Sequence, residues 1–306
     1  MSADFAAIDW GTSSFRLWLM TCKGQVLDER RGPEGMQHCI EAGFAEVLDR
    51  YLTQVGAAPD LPVLICGMAG ARQGWFEAPY ADLPAEVAKL ASQAVRLPLN
   101  LAGARDIRMM PGLAQRDPAC PDVMRGEETQ LAGLAKAGHE GLVCMPGTHC
   151  KWARLEGGAV TGFQSFLTGE LFSLLSGHSI LRHAMPEKGR ILPDDPAFTT
   201  ALDEALADPA AFMGQLFPIR AGQLLGFRSP EESFARLSGL LIGAEVGRQV
   251  AGNCAPVILV GQEGLGALYA EALRRSGTEL VLANAEEATR DALLAAAAEI
   301  WGWQDA

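Results

Sequence analysis

Residues 8–16, "IDWGTSSFR", gather one carboxylate, one glycine and three hydroxyls in a short polar interval: Asp9, Gly11, Thr12, Ser13 and Ser14. A tight turn of this composition offers backbone N–H groups and hydroxyl donors to phosphate oxygens, while Asp9 at its edge can hold a magnesium ion directly or through water. Residues 144–152, "CMPGTHCKW", repeat the Gly-Thr pair and add His149 and Lys151. Lys151 reads equally well as a phosphate-neutralising charge and as an exposed strand lysine. A third glycine-bearing stretch, "VGQEGLGALYAEAL", places Gly261 and Gly264 just before a helix-like run; only glycine allows such close backbone approach, and a helix N-terminus favours negative charge.

The flanking residues say which elements present these groups. Residues 5–9 and 15–20 read as strands joined by the polar turn, with Phe15, Leu17 and Leu19 alternating against Arg16 and Trp18. Lys23-Gly24 turns the chain into a third strand, "GQVLDERR". The segment "GFAEVLDRYLTQV" has helical spacing at Phe44, Val47, Leu48 and Leu52, and "LPVLICGMAG" reads as a buried strand ending at Gly67. Around Gly147-Thr148 the pattern recurs: apolar strand, Gly-Thr turn, second strand, Gly157-Gly158 turn, third strand. The two Gly-Thr pairs lie close to half a chain apart, and an internal duplication is the simplest reading. The alanine-rich "AEEATRDALLAAAAEIWGW" is a strong terminal helix. Trp10, Trp18 and Trp152 read as packing beneath their hairpins.

Strand-turn-strand motifs in duplicate, followed by a glycine-rich strand-to-helix turn, resemble the superfamily of actin, the heat-shock chaperones and the sugar kinases. The resemblance implies an α/β fold of two duplicated ribonuclease-H-like (actin-like ATPase) domains with an interdomain ATP cleft. It assigns Asp9 to the metal, Gly11, Thr12, Ser13, Gly147, Thr148, His149 and Lys151 to the phosphates, and Gly261 and Gly264 to the adenosine. The domains expected are residues 1–125 together with the helix at 285–306, for sugar acid and phosphate, and residues 126–284, for the nucleotide.

"MRGEETQ" opens a further helix with Glu127 and Glu128. Carboxylates at a helix start complement its dipole, which is reason enough for their presence. In related sugar kinases an acidic residue before the helix leading to the second phosphate hairpin accepts the proton of the attacking hydroxyl. The run is also similar to the "GxEEARL" pattern of exopolyphosphatases. Spacing alone does not choose between Glu127 and Glu128.

The stretches "GPEGMQ", "CGMAGARQGWFEAPY", "PDVMRGEETQ", "PGTHCKW", "TGELFSLLSGHSIL" and "LSGLLIGAE", in this order, resemble the 2-dehydro-3-deoxygalactonokinase family from about residue 5 to the last helix. That family phosphorylates a keto-deoxy sugar acid on its 6-hydroxyl with ATP, so the resemblance implies ATP and Mg2+. Ser13-Ser14 and Cys150 depart mildly from the family pattern. A sugar-acid carboxylate suits the planar fork of arginine, and "GARQGWFEAPY", at a strand end, supplies Arg72, Gln73, Trp75 and Glu77. Arg72 is the expected carboxylate contact, the alternative being a surface pair with Glu77. Glu34 and Gly35 lie in a loop that closes over the sugar or simply turns.

Composition excludes other classes. A net charge of −12 argues against nucleic-acid binding. No run of eighteen apolar residues and no leader-like start are found, so a cytoplasmic protein without a membrane is expected. Seven cysteines form no CxxC pair, which suits reduced thiols and no metal cage. "GQEGLG" is not GxGxxG, which speaks against a nicotinamide dehydrogenase. Three alternatives remain: a kinase for another sugar acid, a polyphosphate or nucleotide phosphohydrolase, and, less compatible with "GARQGWFEAPY", an ATP-gated assembly or chaperone protein. A homodimer is compatible with the sequence, which does not fix the oligomeric state.

Overall fold

The computed structural model describes residues 2–102 and 105–303. It is an α/β structure that divides into two compact units, one formed by Met1–Glu140, Arg154–Phe163 and Ala285–Ala306, the other by Gly141–Ala153 and Gln164–Asn284.

Unit 1 starts with the expected meander: β1 (Phe5–Trp10), β2 (Phe15–Met20) and β3 (Val26–Gly32), paired antiparallel in turn. The first two strands are almost wholly buried, as apolar runs on both faces require. Two helices follow, α1 (Met36–Ala42) and α2 (Phe44–Gln54), separated by Gly43 at φ 84°. The second buries Phe44, Val47, Leu48, Tyr51 and Leu52, the face its spacing predicts, whereas α1 has no counterpart in the sequence reading. Strand β4 (Val63–Gly67) lies parallel to β1, pairing Asp9 with Cys66 and Trp10 with Gly67.

The remaining elements of this part are short: β5 (Tyr80–Asp82), β6 (Ala85–Glu86), β7 (Val95–Arg96), α3 (Leu99–Ala102), β8 (Ile107–Met109), β9 (Gly112–Gln115) and β10 (Asp122–Met124). The main sheet runs β3-β2-β1-β4-β8-β7, with β8 parallel to β4, and a small sheet runs β10-β9-β5. Helix α4 (Glu127–Lys136) comes next.

In unit 2, β11 (Gly141–Met145), β12 (Cys150–Glu156) and β13 (Ala159–Phe166) form the second meander. Its distal half, residues 154–163, belongs to unit 1, where Ala159 and Val160 pair with Glu86 and Ala85. Helices α5 (Thr168–His178), α6 (Pro196–Ala207), α7 (Phe212–Leu224) and α8 (Pro230–Gln249) follow. Ser229 and Glu232 close a capping box at the start of α8, with Pro230 in its first turn. Gly239 and Gly243 let α8 lie against α6: a Cβ at Gly239 would stand 2.3 Å from the Phe198 carbonyl oxygen. Then come β14 (Val257–Val260), α9 (Leu265–Arg275) and β15 (Leu280–Ala283), with β14 parallel to both β11 and β15.

The last helix, α10 (Ala285–Trp301), falls in unit 1. A boundary after residue 125 was expected, but the units divide after Glu140. The reason is the packing of α4 on α10: a Cβ at Gly133 would come within 2.0 Å of the Ala288 carbonyl oxygen, so the two helices touch through backbone and α4 is held in unit 1. No helix among the described residues is long and apolar enough to cross a membrane.

Candidate active site

The site in unit 1 is assembled at the C-terminal ends of the parallel strands β1 and β4, where open α/β sheets collect their ligand groups. The polar turn is short and closed: the Gly11 N–H donates to the Ser14 carbonyl at 2.9 Å, leaving Thr12, Ser13 and Ser14 exposed. The start of α1 is tied onto it, since the N–H groups of Met36 and Gln37 donate to the carbonyls of Gly11 (2.9 Å) and Thr12 (3.1 Å). Gly35 is obligatory at this junction, because a Cβ there would stand 2.4 Å from the Ser13 nitrogen. Glu34 is anchored too, accepting from the Tyr51 hydroxyl at 2.6 Å and from Arg50 Nη2 at 2.7 Å. The Tyr51 bond holds the Glu34 carboxyl below its usual range, and burial, with Glu34 second, pushes Tyr51 up to about 12. The loop over residues 33–35 is thus bound to the turn.

Asp9 is opposite Arg16 in the β1/β2 register, and the two side chains lie 3.6 Å apart with about a quarter of each exposed (27% and 26%). Arg16 also reaches Glu286 of α10 at 3.3 Å, and Glu286 pairs with Arg31 of β3 at 2.8 Å. Burial raises the pKa of Asp9; Arg16 opposes it, and the charges of Glu127 and Glu286 add to the rise.

The start of α4 is brought in by glycines. Gly67, at φ 91°, ends β4 where a Cβ would lie 2.6 Å from the Trp10 carbonyl oxygen, and a Cβ on Gly126, at φ 105°, would lie 3.4 Å from Gly67 Cα. The two acidic residues then part company. Glu128 is fully buried (0% exposed), accepts from the Gly126 N–H at 2.6 Å and the Thr129 hydroxyl at 3.0 Å, and is pushed up to about 8 by burial and then by Glu127. Glu127 is half-buried and accepts from the Arg125 N–H at 3.2 Å.

Segment 70–80 lies beside this start. Arg72 is 82% exposed and makes a loose contact with Glu77 at 3.4 Å, the surface pair considered above; Gln73 is exposed. Trp75 is half-buried, packed on Trp10 (6.0 Å) and stacked on Phe44 (6.0 Å, 8°), so it belongs to the core as much as to any ligand surface. Arg125 was passed over in the sequence although it stands in "MRGEETQ". It is buried, donates to the Ala78 carbonyl at 2.8 Å and stacks 4.3 Å over the Tyr80 ring.

In unit 2 the second Gly-Thr turn exposes Thr148 and His149. His149 hydrogen-bonds Glu170 of α5, and a Cβ at Gly169 would stand 2.6 Å from the Gly147 carbonyl oxygen, so α5 begins directly against the turn. Lys151 is 5% exposed and donates to the His149 carbonyl at 3.1 Å, which removes the reading as an exposed strand lysine. Glu245 of α8 ties the surrounding elements together. It accepts from Trp152 Nε1 (2.7 Å), the Tyr269 hydroxyl (2.7 Å) and the Thr168 hydroxyl. At the strand-to-helix turn Gly261 and Gly264 both have positive φ, 101° and 55°, which explains their type.

The family model described as 2-keto-3-deoxy-galactonokinase matches residues 9–296. The chain belongs to this family. It is 49% identical over 302 residues, 97% of each chain, to a Rhizobium meliloti protein named "Probable 2-dehydro-3-deoxygalactonokinase DgoK1". It is 34% identical over 282 residues, 92% of each chain, to the 2-dehydro-3-deoxygalactonokinase of Escherichia coli K12. A solved structure of a Sinorhizobium meliloti protein assigned to the same family superposes with a TM-score of 0.93 at 48% identity, over 99% of this chain and 98% of that one. The activator of 2-hydroxyisocaproyl-CoA dehydratase from Clostridium difficile shares the fold, with a TM-score of 0.50 at 11% identity over 97% and 96% of the two chains.

Proposed function

We propose that this member of the 2-keto-3-deoxy-galactonokinase family transfers the γ-phosphoryl group of ATP to the 6-hydroxyl of 2-dehydro-3-deoxygalactonate, with Glu127 as base. The observation that carries the assignment of the base is the contrast at the start of α4. Glu128 is sealed from solvent and already engaged by Gly126 and Thr129, whereas Glu127 is half-buried and couples electrostatically to Asp9. A base must reach its substrate, and of the two only Glu127 has access.

The two six-stranded sheets carry the same strand order, meander strands 3-2-1 continued by parallel strands, as β3-β2-β1-β4-β8 and as β13-β12-β11-β14-β15. This supports two duplicated domains, each carrying one Gly-Thr turn suited to phosphate. Gly11, Thr12 and Ser13 serve in one, and Gly147, Thr148, His149 and Lys151 in the other. Gly261 and Gly264 flank the adenosine. Arg72, Gln73, Trp75 and Glu77 form the mouth of the sugar-acid site, with Glu34 and Gly35 as its fixed shelf.

No group of three or more metal-ligating side chains occurs among the described residues. Magnesium in kinases needs only one or two carboxylates, the remaining ligands being phosphates and water. Asp9, whose charge is disfavoured by burial and then, against the opposing Arg16, by Glu127 and Glu286, fits that pattern. Mg2+ held there would neutralise phosphate charge. The chain's own residues do the rest. Glu127 takes the proton of the 6-hydroxyl as that oxygen bonds to the γ-phosphorus, the bond from γ-phosphorus to the bridging oxygen breaks, and ADP leaves. Positioning and fixed charge supply most of the acceleration.

A coupled assay of ADP release with 2-dehydro-3-deoxygalactonate, its gluco epimer and no sugar acid tests the reading. ADP formation that depends on the galacto acid is expected. Equal ADP and inorganic phosphate without any acid would make the protein a phosphohydrolase instead.

A further inference from the structure

Helix α7 turns apolar side chains to solvent as well as to the core. Met213, Phe217, Leu224 and Leu225, with Phe227 just beyond the helix end, each leave 63–77% of their surface exposed. The Phe227 N–H donates to the Gly222 carbonyl at 2.8 Å, which holds that residue beside the helix. The inner face is already occupied: Ile219 and Gly222 are buried, and Phe212 and Leu216 pack on the cluster of Leu181, Ala201, Leu237 and Leu240. At about 100° per residue, Met213, Gly214, Phe217, Ala221, Leu224 and Leu225 fall on the opposite side within an arc of about 120°, and none is polar. The nearest charges are turned back onto their own chain. Arg220 donates to the His183 carbonyl (3.1 Å) and to Gln223 (2.6 Å), and Arg228 donates to the Pro218 carbonyl (3.2 Å).

Large side chains this exposed present roughly 600–700 Å2 of apolar surface between them, at about 200 Å2 for each complete side chain. The largest apolar patch on a monomer is about 300–600 Å2, whereas a stable dimer covers about 800 Å2 on each partner. The order of residues along the face says which surface covers it. Gly214, Phe217, Ala221 and Leu224 follow the alternating three- and four-residue steps of a helix-packing seam, small side chains alternating with large. Two copies of the seam laid antiparallel about a two-fold axis at position 219 bring Leu224 against the partner's Gly214 and Phe217 against the partner's Ala221. Each large side chain meets a small one. Nothing lies within 4 Å of a Cβ built on Gly214, so that hole is open in the single chain. Glycine inside a helix costs about 1 kcal/mol against alanine, which the close approach of a second helix offsets.

We propose that α7 is the interface of a homodimer, its exposed face packed antiparallel on the same face of a second copy of this chain. Such an interface is isologous, and self-complementarity is what a two-fold contact demands of one surface. The charge distribution agrees. The chain carries a net charge of −12, yet no acidic residue lies between Ala210 and Arg228, so a second acidic chain can approach here without like charges meeting in the seam. Phe217, next to the axis, is the anchor on each side.

Sedimentation velocity of the full chain over a concentration series, with and without phosphatidylglycerol vesicles, tests the interface. The unaltered chain is expected to sediment as a dimer and to stay off the vesicles. Phe217→Glu is expected to raise the dimer dissociation constant by roughly 100-fold or more, since a buried anchor is lost twice per dimer. The side chain is exposed in the single chain, so the fold is retained, which circular dichroism checks. Gly214→Lys and Leu224→Glu should each dissociate the dimer, and the two combined should restore it, because the new charges face each other only across the antiparallel seam. A monomer at every concentration, free or gathered on vesicles, would overturn the dimer. A dimer that Phe217→Glu leaves intact, or that the combined charges fail to restore, would overturn this interface and its register.

Discussion

Asp9 and Arg16 face each other directly across β1 and β2, carboxylate 3.6 Å from guanidinium, and Arg16 in turn bridges to Glu286. The hairpin that presents the Gly11–Ser14 turn therefore carries an acid already balanced by its neighbour. Asp9→Asn removes the charge and keeps the shape. Turnover is expected to fall roughly 10–100-fold and the magnesium concentration for half-maximal rate to rise. A magnesium titration at fixed ATP checks this, and an unchanged requirement would take Asp9 out of the metal site.

The two glutamates at the start of α4 should separate cleanly. Glu127→Gln is expected to lower kcat by roughly 10^2–10^4-fold with ATP binding retained, the range for loss of a positioned base. Glu128→Gln keeps both contacts of the buried group, an oxygen toward the Gly126 N–H and an amide toward the Thr129 hydroxyl, and should stay within about tenfold of the unaltered kcat. Steady-state rates on the two variants decide between them; the reverse ranking would move the base to Glu128.

Glu128 also gives stability a pH dependence. Its folded pKa is raised from 4.5 to about 8, so between those values the folded chain holds a proton that the unfolded chain has lost. Stability from this group is present below pH 4.5 and is lost as pH rises toward 8, at up to about 1.4 kcal/mol per pH unit. Glu128→Gln should remove this slope and melt at a higher temperature than the unaltered chain above neutral pH. Parallel melting curves from pH 5 to 9 for the two proteins would show that the group does not titrate there.

Gly35→Ala tests the docking of α1 on the Gly11–Ser14 turn. The added methyl meets Ser13 backbone atoms at 2.4 and 2.5 Å, which cannot yield as a flexible side chain can. A loss of roughly 1–3 kcal/mol is expected from such overpacking, together with a raised KM for ATP because Ser13 is displaced. Thermal melting and ATP titration read the two effects; a wild-type Tm would show that the loop is free to move away.

The hairpins were legible because their chemistry is local: alternation fixes the strands, and a Gly-Thr turn can sit almost nowhere else. The face of α2 was equally clear from Phe44, Val47, Leu48 and Leu52. Helix α1 was not, since Gly35 and Gly43 bracket only seven residues whose start is held by the carbonyls of Gly11 and Thr12, a tertiary cause. The compact units divide after Glu140 and not at 125 for the same kind of reason, the backbone contact of Gly133 with Ala288. At the site, the pair Glu127-Glu128 was visible but its division of labour depends on burial, which adjacent identical residues do not reveal. Arg125 was in plain view inside "MRGEETQ", but its burial over the Tyr80 ring is a tertiary fact that the motif does not reveal.

The most direct measurement of the central claim follows the phosphorus resonances of ATP and 2-dehydro-3-deoxygalactonate with the unaltered chain and with Glu127→Gln. The unaltered chain is expected to convert them to ADP and the sugar-acid 6-phosphate in equal amounts. The variant should bind ATP and form neither product. Near-equal conversion by the variant, or release of inorganic phosphate in place of the sugar phosphate, would contradict the account.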